Sequence, residues 1–218
     1  MTSVIPFDGQ TLLTYCLAAA ALVIAPGPGQ ALVLARSIEG GARAGFLTSV
    51  GLATATLGHT FLAALGLSAV LAASATAFAV VKYAGAAYLV TLGILTLRRS
   101  AQAAPVDAPV MHGRRRAAGK LVFHGAVTGA LNPKVAVFMM AFLPQFVDPE
   151  RGAVTLQFVV LGTILMLMGM VGDFIVALAS GRARDRLLSS PRLSVWRERF
   201  TGTVLVGLGM RLALVEGK

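Results

Sequence analysis

Long apolar stretches separated by short polar ones run through the whole chain. Residues 11–35 contain no charged side chain, and in residues 45–97 only His59 and Lys82 can carry charge. A helix of about 20 apolar residues crosses the hydrocarbon core of a bilayer. Residues 45–97 are therefore too long for one crossing, and they predict a turn near residues 66–68. The pattern predicts helices that span a membrane, with short loops between them.

The same analysis of the remaining chain predicts six spans. A basic, proline-containing segment at residues 98–120 divides them into two groups of three, and the basic residues 181–199 predict a surface helix or loop. The expected fold is an all-α integral membrane protein with two inverted three-helix repeats, 1–100 and 121–218, joined by a cytoplasmic loop at 101–120 within one membrane domain. The spans are residues 11–35, 45–65, 69–97, 121–147, 152–180 and a short, weak 200–215.

Composition favours a membrane protein over a water-soluble one. Apolar residues make up 56% of the chain and charged residues 13%, whereas a soluble domain carries about 25% charged residues. The net charge of +10 would suggest nucleic-acid binding in a soluble protein, but here cationic loops satisfy the positive-inside rule. We therefore expect a lipid bilayer and no nucleic acid as a partner. Cys16, the single cysteine, lies in an apolar run and predicts packing; no cofactor or metal site is expected.

Lysine and arginine are distributed unevenly between the two sides of the predicted membrane. Fourteen lie in the segments after spans one, three and five, and two lie in the turn after span four and the C-terminal tail. Because positive residues are retained in the cytoplasm, those three segments are predicted inside and both termini outside the bacterial plasma membrane. If the sixth segment does not cross, the C-terminus is cytoplasmic.

Two spans contain helix breakers at corresponding positions. Span one carries Pro26, Gly27, Pro28 and Gly29, and span four carries Leu-Asn-Pro-Lys at 131–134. Proline removes a backbone donor, and freed backbone groups are tolerated in lipid only inside protein or beside a watery cavity. Each break begins a group of three spans, so the second group enters from the opposite side, as in the inverted repeats of secondary transporters. Proline kinks in packed helices are the alternative.

These breaks predict helix N-termini inside the membrane. Asn132 followed by Pro133 is a favourable N-cap and first helical residue, and another half-helix is expected after Pro28. The free N–H groups of such termini suit a carboxylate, and Lys134 would add a full positive charge. Four residues apart in span four, Gly125 and Gly129 predict a close approach to a neighbouring helix.

Ionisable side chains inside the spans are further candidates. An intramembrane charge costs about 2.5 to more than 10 kcal/mol, so each needs a partner or a function. Asp173 could hold an ammonium group or a transported proton. Lys82 could be its ion-pair partner, and a purely structural pair is the alternative. His59 is a weaker candidate for proton transfer and His124 weaker still, because a lone helical histidine is more often packed.

Taken together, these residues resemble the LysE/RhtB family of amino-acid exporters. The resemblance extends over essentially the whole chain and depends on an ordered set of segments rather than on any one of them. Gly51, His59, Asp173, Gly202 and Gly207 belong to it. The main segments are the Pro-Gly-Pro-Gly break, Lys82-Tyr83-Ala84-Gly85-Ala86-Ala87-Tyr88-Leu89 with Gly93, and 131–134 followed by Phe138 and Leu143-Pro144-Gln145-Phe146.

The resemblance implies a transporter rather than an enzyme. It would export homoserine, threonine, other neutral or basic amino acids, or derivatives from the cytoplasm by secondary transport, with protons as the exchanged ion. Asp173 would be the family's buried acid, and we expect Asp173, Lys82 and His59 to serve ion coupling. The expected substrate-binding residues are Pro26, Gly27, Pro28, Gly29, Asn132, Pro133, Lys134 and Asp173.

The expected mechanism places the substrate carboxylate at the two half-helix termini and its ammonium at Asp173 or at freed carbonyls. Rocking of the two halves then exposes the site outside. Efflux of a metal cation or drug remains open, as does an intramembrane enzyme that uses Asp173 and His59, or a structural subunit. A carrier this small is compatible with a homodimer.

Overall fold

The computed structural model describes residues 7–25, 27–73, 75–101, 117–182 and 191–214. Within these ranges the chain is helical and contains no strand. After α5 the chain continues through wide π-type turns at Phe138–Phe142 and tight 3₁₀ turns at Leu143–Phe146. The helices are α1 Gly9–Ile24, α2 Pro28–Ala73, α3 Ala75–Ala101, α4 Ala118–Ala130, α5 Pro133–Val137, α6 Val154–Arg182 and α7 Pro191–Leu214.

A single glycine divides α2 into two helical segments. Gly41 has φ 77° and ψ 177°, a conformation that only glycine adopts without strain. The segment before it belongs to predicted span one, and the segment after it to predicted span two. The loop expected between these spans is therefore a kink at one residue, and Arg36 and Arg43 lie in helix on either side of it.

The turn predicted between spans two and three is wrong, and the last helix starts before the predicted sixth span. The turn expected at residues 66–68 is helical, since α2 continues to Ala73; Gly66 and Ser68 alone remove no backbone donor, and the residues that follow are good helix formers. The segment at 181–199, predicted as a surface helix or loop, is helical from Pro191 onward, because proline is well suited to the first turn of a helix. Arg192, Arg197 and Arg199 therefore belong to α7, and residues 183–190 lie outside the described ranges.

Helix length and composition fit a membrane environment. Among the described residues, Pro28–Gly66 and Val154–Ser180 are each long and apolar enough to cross a bilayer, and the bent pair Ala118–Ala130 and Pro133–Phe146 adds a third if it forms one span. Large apolar side chains on these helices are exposed, including Leu62 at 71% and Val171 at 59%. Exposed apolar surface of this extent is what contact with lipid requires.

Small residues bring α2 directly against α4. A Cβ atom on Gly125 would lie 2.1 Å from the carbonyl oxygen of Thr48, and one on Gly51 would lie 2.0 Å from that of Val122. A Cβ atom on Gly129 would lie 2.6 Å from the Cβ atom of Ala55. The close helix approach predicted for Gly125 and Gly129 is thus confirmed, and its partner is the second segment of α2.

An aromatic cluster joins α1 to the turns after α5. Tyr15 is fully buried, and its ring lies 5.2 Å from that of Phe146 and 6.3 Å from that of Phe138. Its hydroxyl donates a hydrogen bond of 2.7 Å to the carbonyl of Leu161 in α6. The cluster therefore holds three elements together around the site described below.

The short turn predicted at residues 148–151 is confirmed. The backbone N–H of Asp148 donates to Gln157 Oε1, and Gln157 Nε2 donates to the carbonyls of Asp148 and Gly152, each at 2.8 Å. Arg151 lies 3.5 Å from the carboxylate of Asp8, the N-cap of α1. Donation from the backbone of Thr11 lowers the pKa of Asp8, which keeps its charge available to the helix terminus.

We expect Gly125→Ala to destabilise the protein, because its methyl group would collide with the backbone of Thr48. Overpacking of this kind typically costs about 1 to 3 kcal/mol. Thermal unfolding of the purified protein in detergent measures the effect. Gly119→Ala in the same helix is the control, since a Cβ there meets nothing within 4 Å; equal unfolding midpoints for the two variants would contradict the close contact.

Candidate functional site at two helix breaks

The first break separates α1 from α2. The backbone N–H of Ala25 still bonds the carbonyl of Ala21 at 3.1 Å, and Ala31 N–H bonds the carbonyl of Gly27 at 3.0 Å. A new helix begins at Pro28, as the sequence predicts. Pro26 lies outside the described residues. The break leaves the last carbonyls of α1 and the first amides of α2 without partners inside their own helices.

The second break separates α4 from α5 with a bend of 50°. Asn132 is the N-cap of α5, and its Oδ1 accepts a 3.1 Å hydrogen bond from the backbone N–H of Lys134. Pro133 is the first residue of the new helix. Both the cap and the half-helix predicted from Asn-Pro are confirmed, and Asn132 is buried at 5% exposure.

Lys134 connects the two breaks. Its Nζ donates to the carbonyl of Leu22 at 2.9 Å and to that of Ala25 at 2.8 Å. Gln30 Nε2 donates to the carbonyl between them, that of Val23, at 2.5 Å. The carbonyl end of α1 is therefore closed by side chains from two other elements, and a cation there is favoured by the helix dipole.

Asp173 lies in α6 and faces the same region. It is 8% exposed, and its Oδ2 accepts a 2.9 Å hydrogen bond from the hydroxyl of Ser49 in α2. Both Asp173 and Lys134 belong to the described chain, and no direct ion pair joins them there. Among the described residues Oδ1 of Asp173 has no hydrogen-bond partner, so this oxygen is free to accept one.

A cavity of about 80 Å³ lies between the two breaks. Its wall includes apolar side chains from α1, α2, α5 and α6, together with the polar groups described above. At about 10 to 15 Å³ for each water centre, it has room for several water molecules. The polar or glycine residues that line it are Gly27, Gly29, Gln30, Thr56, Gly129, Asn132, Lys134, Gly169 and Asp173.

Five of the predicted site residues line this cavity. Pro28 and Pro133 begin the helices beside it but are exposed. Lys82 lies in α3, and its side chain is outside the described part of the structure. The five are Gly27, Gly29, Asn132, Lys134 and Asp173.

The two histidines lie elsewhere. His59 Nε2 is 3.3 Å from the carbonyl of Gly129, at the end of α4, so it supports the second break from outside the cavity wall. His124 is half-buried beside Phe123. Within the described ranges no three His, Cys, Asp or Glu side chains are grouped as a metal site.

Sequence reasoning missed three polar residues of this region: Gln30, Ser49 and Thr56. Gln30 follows the first break directly, and a polar residue in the first turn of a half-helix is a signal that could have been used. Ser49 and Thr56 are ordinary in sequence, because small hydroxyl residues are frequent in membrane helices.

We expect Lys134→Met to lower stability, because it leaves the carbonyls of Leu22 and Ala25 without donors in an apolar environment. An orphaned buried carbonyl costs about 1 to 3 kcal/mol. Thermal unfolding in detergent measures the loss, and Lys120→Met, at the exposed start of α4, is the matched control. A midpoint for Lys134→Met equal to that of the control would contradict the capping role.

Comparison with protein families matches residues 20–216 to the LysE type translocators. An uncharacterized membrane protein of Vibrio cholerae is 34% identical over 96% of this chain and 99% of its own length. The uncharacterized membrane protein YrhP of Bacillus subtilis is 30% identical over 94% and 99%.

A homoserine/homoserine lactone efflux protein of Salmonella typhimurium is 32% identical over 72% of this chain and 74% of its own length. No solved structure matches at a significant level. The family match covers most of the chain, including both helix breaks and Asp173, and this family consists of transporters rather than enzymes. The chain therefore belongs to the LysE type translocator family of membrane proteins.

Proposed function

We propose that this protein exports amino acids or close derivatives, with homoserine and threonine as the first candidates, from the cytoplasm across the bacterial plasma membrane. The observation that carries the proposal is the cavity between two helix breaks, which contains both a buried carboxylate and unused donors. Family membership and the name of the Salmonella efflux relative support the direction of transport.

The proposed architecture has six spans in two inverted repeats, residues 1–100 and 121–218, with the basic segment 101–120 in the cytoplasm; residues 102–116 of that segment lie outside the described ranges. The first helix of each repeat would be the broken one: α1 with the first segment of α2, and α4 with α5. The bias of Lys and Arg toward alternate loops supports this orientation. Rocking of the repeats about the cavity would open it alternately to each side.

Donors in the cavity suit the substrate carboxylate. Asn132 uses its Oδ1 for the cap of α5, so its Nδ2 is left to donate toward the cavity it lines. The first amides of α2, at Gly29 and Gln30, have no acceptor inside the helix. Lys134 contributes positive charge beside them. Two of its three N–H groups bond carbonyls of α1, so the third can donate to the substrate carboxylate.

Asp173 is the acceptor for the substrate ammonium, and it is also the group that carries the exchanged proton. The Ser49 hydroxyl fixes one carboxylate oxygen and leaves the other toward the cavity. A carboxylate that holds an ammonium cannot also hold a proton. Protonation from outside therefore releases the substrate, and loss of that proton to the cytoplasm prepares the site for the next one.

Efflux from cells that lack their own exporters tests the function directly. The cells are loaded with a dipeptide mixture, with and without this protein, and the medium is analysed for amino acids. Gradient-dependent appearance of one or a few amino acids supports the proposal. No difference, with the protein present in the membrane, would contradict it; the same cells loaded with metal cations or dyes would then test another solute.

We expect Asp173→Asn to reduce efflux at least about tenfold, because it removes a charge-assisted hydrogen bond to the ammonium. The residual efflux should not respond to an imposed pH gradient, whereas the unmodified protein should export faster when the outside is more acidic. Proteoliposomes with labelled homoserine measure both effects.

The exposed Glu150→Gln provides the control for loss of a carboxylate, since Glu150 lies in the turn before α6. Unchanged proton dependence in Asp173→Asn would remove Asp173 from the coupling mechanism.

A further inference from the structure

Gln30, at the cavity, has a buried side-chain oxygen without a hydrogen-bond partner among the described residues. It lies in the first turn of α2, lines the cavity and donates through Nε2 to the carbonyl of Val23. Because a carbonyl can only accept, this bond fixes which end of the amide is nitrogen. The other end, Oε1, is enclosed and has no hydrogen-bond partner in the described part of the chain.

An enclosed amide oxygen without a donor is costly, by about 1 to 3 kcal/mol. Such groups are rare in folded proteins and require an explanation. No donor in the described part of the chain bonds this oxygen, and two N–H groups of the Lys134 ammonium are directed to the carbonyls of Leu22 and Ala25 instead. The cavity next to Gln30 is where an external donor would arrive.

Three carbonyls at the first break are already occupied. The sequence predicts that Asp173 or freed carbonyls at the breaks receive the substrate ammonium. In the structure the carbonyls of Leu22, Val23 and Ala25 all accept from Lys134 or Gln30. Two cavity-lining side chains of the described chain carry an oxygen without a donor, Oε1 of Gln30 and Oδ1 of Asp173, and they come from different helices.

We propose that Gln30 Oε1 is the second ligand of the substrate ammonium and acts together with Asp173. This assignment rests on the proposed export of amino acids and adds a specificity-determining residue to it. Asp173 provides charge, which a metal cation or any amine would satisfy. The fixed Gln30 oxygen provides direction, so that a primary ammonium with several N–H donors fits both acceptors at once.

Two opposite substitutions separate this role from mere capping of Val23. Gln30→Glu keeps an acceptor but loses the donor to Val23, whereas Gln30→Lys keeps a donor but loses the acceptor. If Gln30 binds the ammonium, Glu at this position retains affinity for L-homoserine and Lys weakens it about 10- to 100-fold. If Gln30 only caps the helix, the order is reversed.

Titration of L-homoserine into the purified protein, followed by calorimetry, gives the Kd for each variant. Gln30→Met, neutral and of similar length, is measured as well and should also bind at least about tenfold more weakly. It removes the acceptor without adding a charge, so equal binding by this variant overturns the assignment even if a charged variant does not fold. The controls are Gln10→Glu and Gln10→Lys, which change the same residue type at the exposed start of α1.

The outcomes distinguish the two levels of the proposal. Unmodified protein that binds L-homoserine, with Gln30→Met binding equally well, would overturn the role of Gln30 and leave amino-acid export intact. Weaker binding by Gln30→Glu than by Gln30→Lys would overturn it in the same way. Unmodified protein that neither binds nor exports L-homoserine would reject this substrate and the role of Gln30 with it.

Discussion

The constraint on which this structure depends is that backbone groups freed inside a membrane must find partners within the protein. Two breaks in apolar helices expose carbonyls and amides where no bulk water can satisfy them. The chain satisfies them locally at the second break, where Asn132 caps α5, and at long range at the first, where Lys134 reaches α1. One residue thereby joins the two breaks and determines the shape of the cavity between them.

Close packing allows this arrangement to exist. Contact between the backbones of α2 and α4 at Gly51 and Gly125 brings the second break beside the first. The buried Tyr15 cluster holds α1 against α6 and the turns after α5. The polar site is thus held by apolar and backbone contacts as well as by the bonds of Lys134.

The sequence predicts the features that depend on local chemistry. Proline, glycine and asparagine specify both breaks and the cap at Asn132. The turn predicted at residues 66–68 is absent, because Gly66 without a neighbouring proline is not enough to end a helix. The partners of Lys134 and Gln30 follow from how distant segments meet, and no spacing along the chain indicates them. For the same reason Lys134 was expected to face a carboxylate, whereas two of its N–H groups serve α1.

The bond from Lys134 to Leu22 also has a consequence for biogenesis. The two residues are 112 positions apart, so the ribosome releases the first helices long before the side chain that completes them. During synthesis the carbonyl end of α1 must be shielded by the insertion machinery, by lipid headgroups or by trapped water. The bonds from Lys134 to α1 can form only after the second break has been synthesised, so the first break acquires its complete set of partners late.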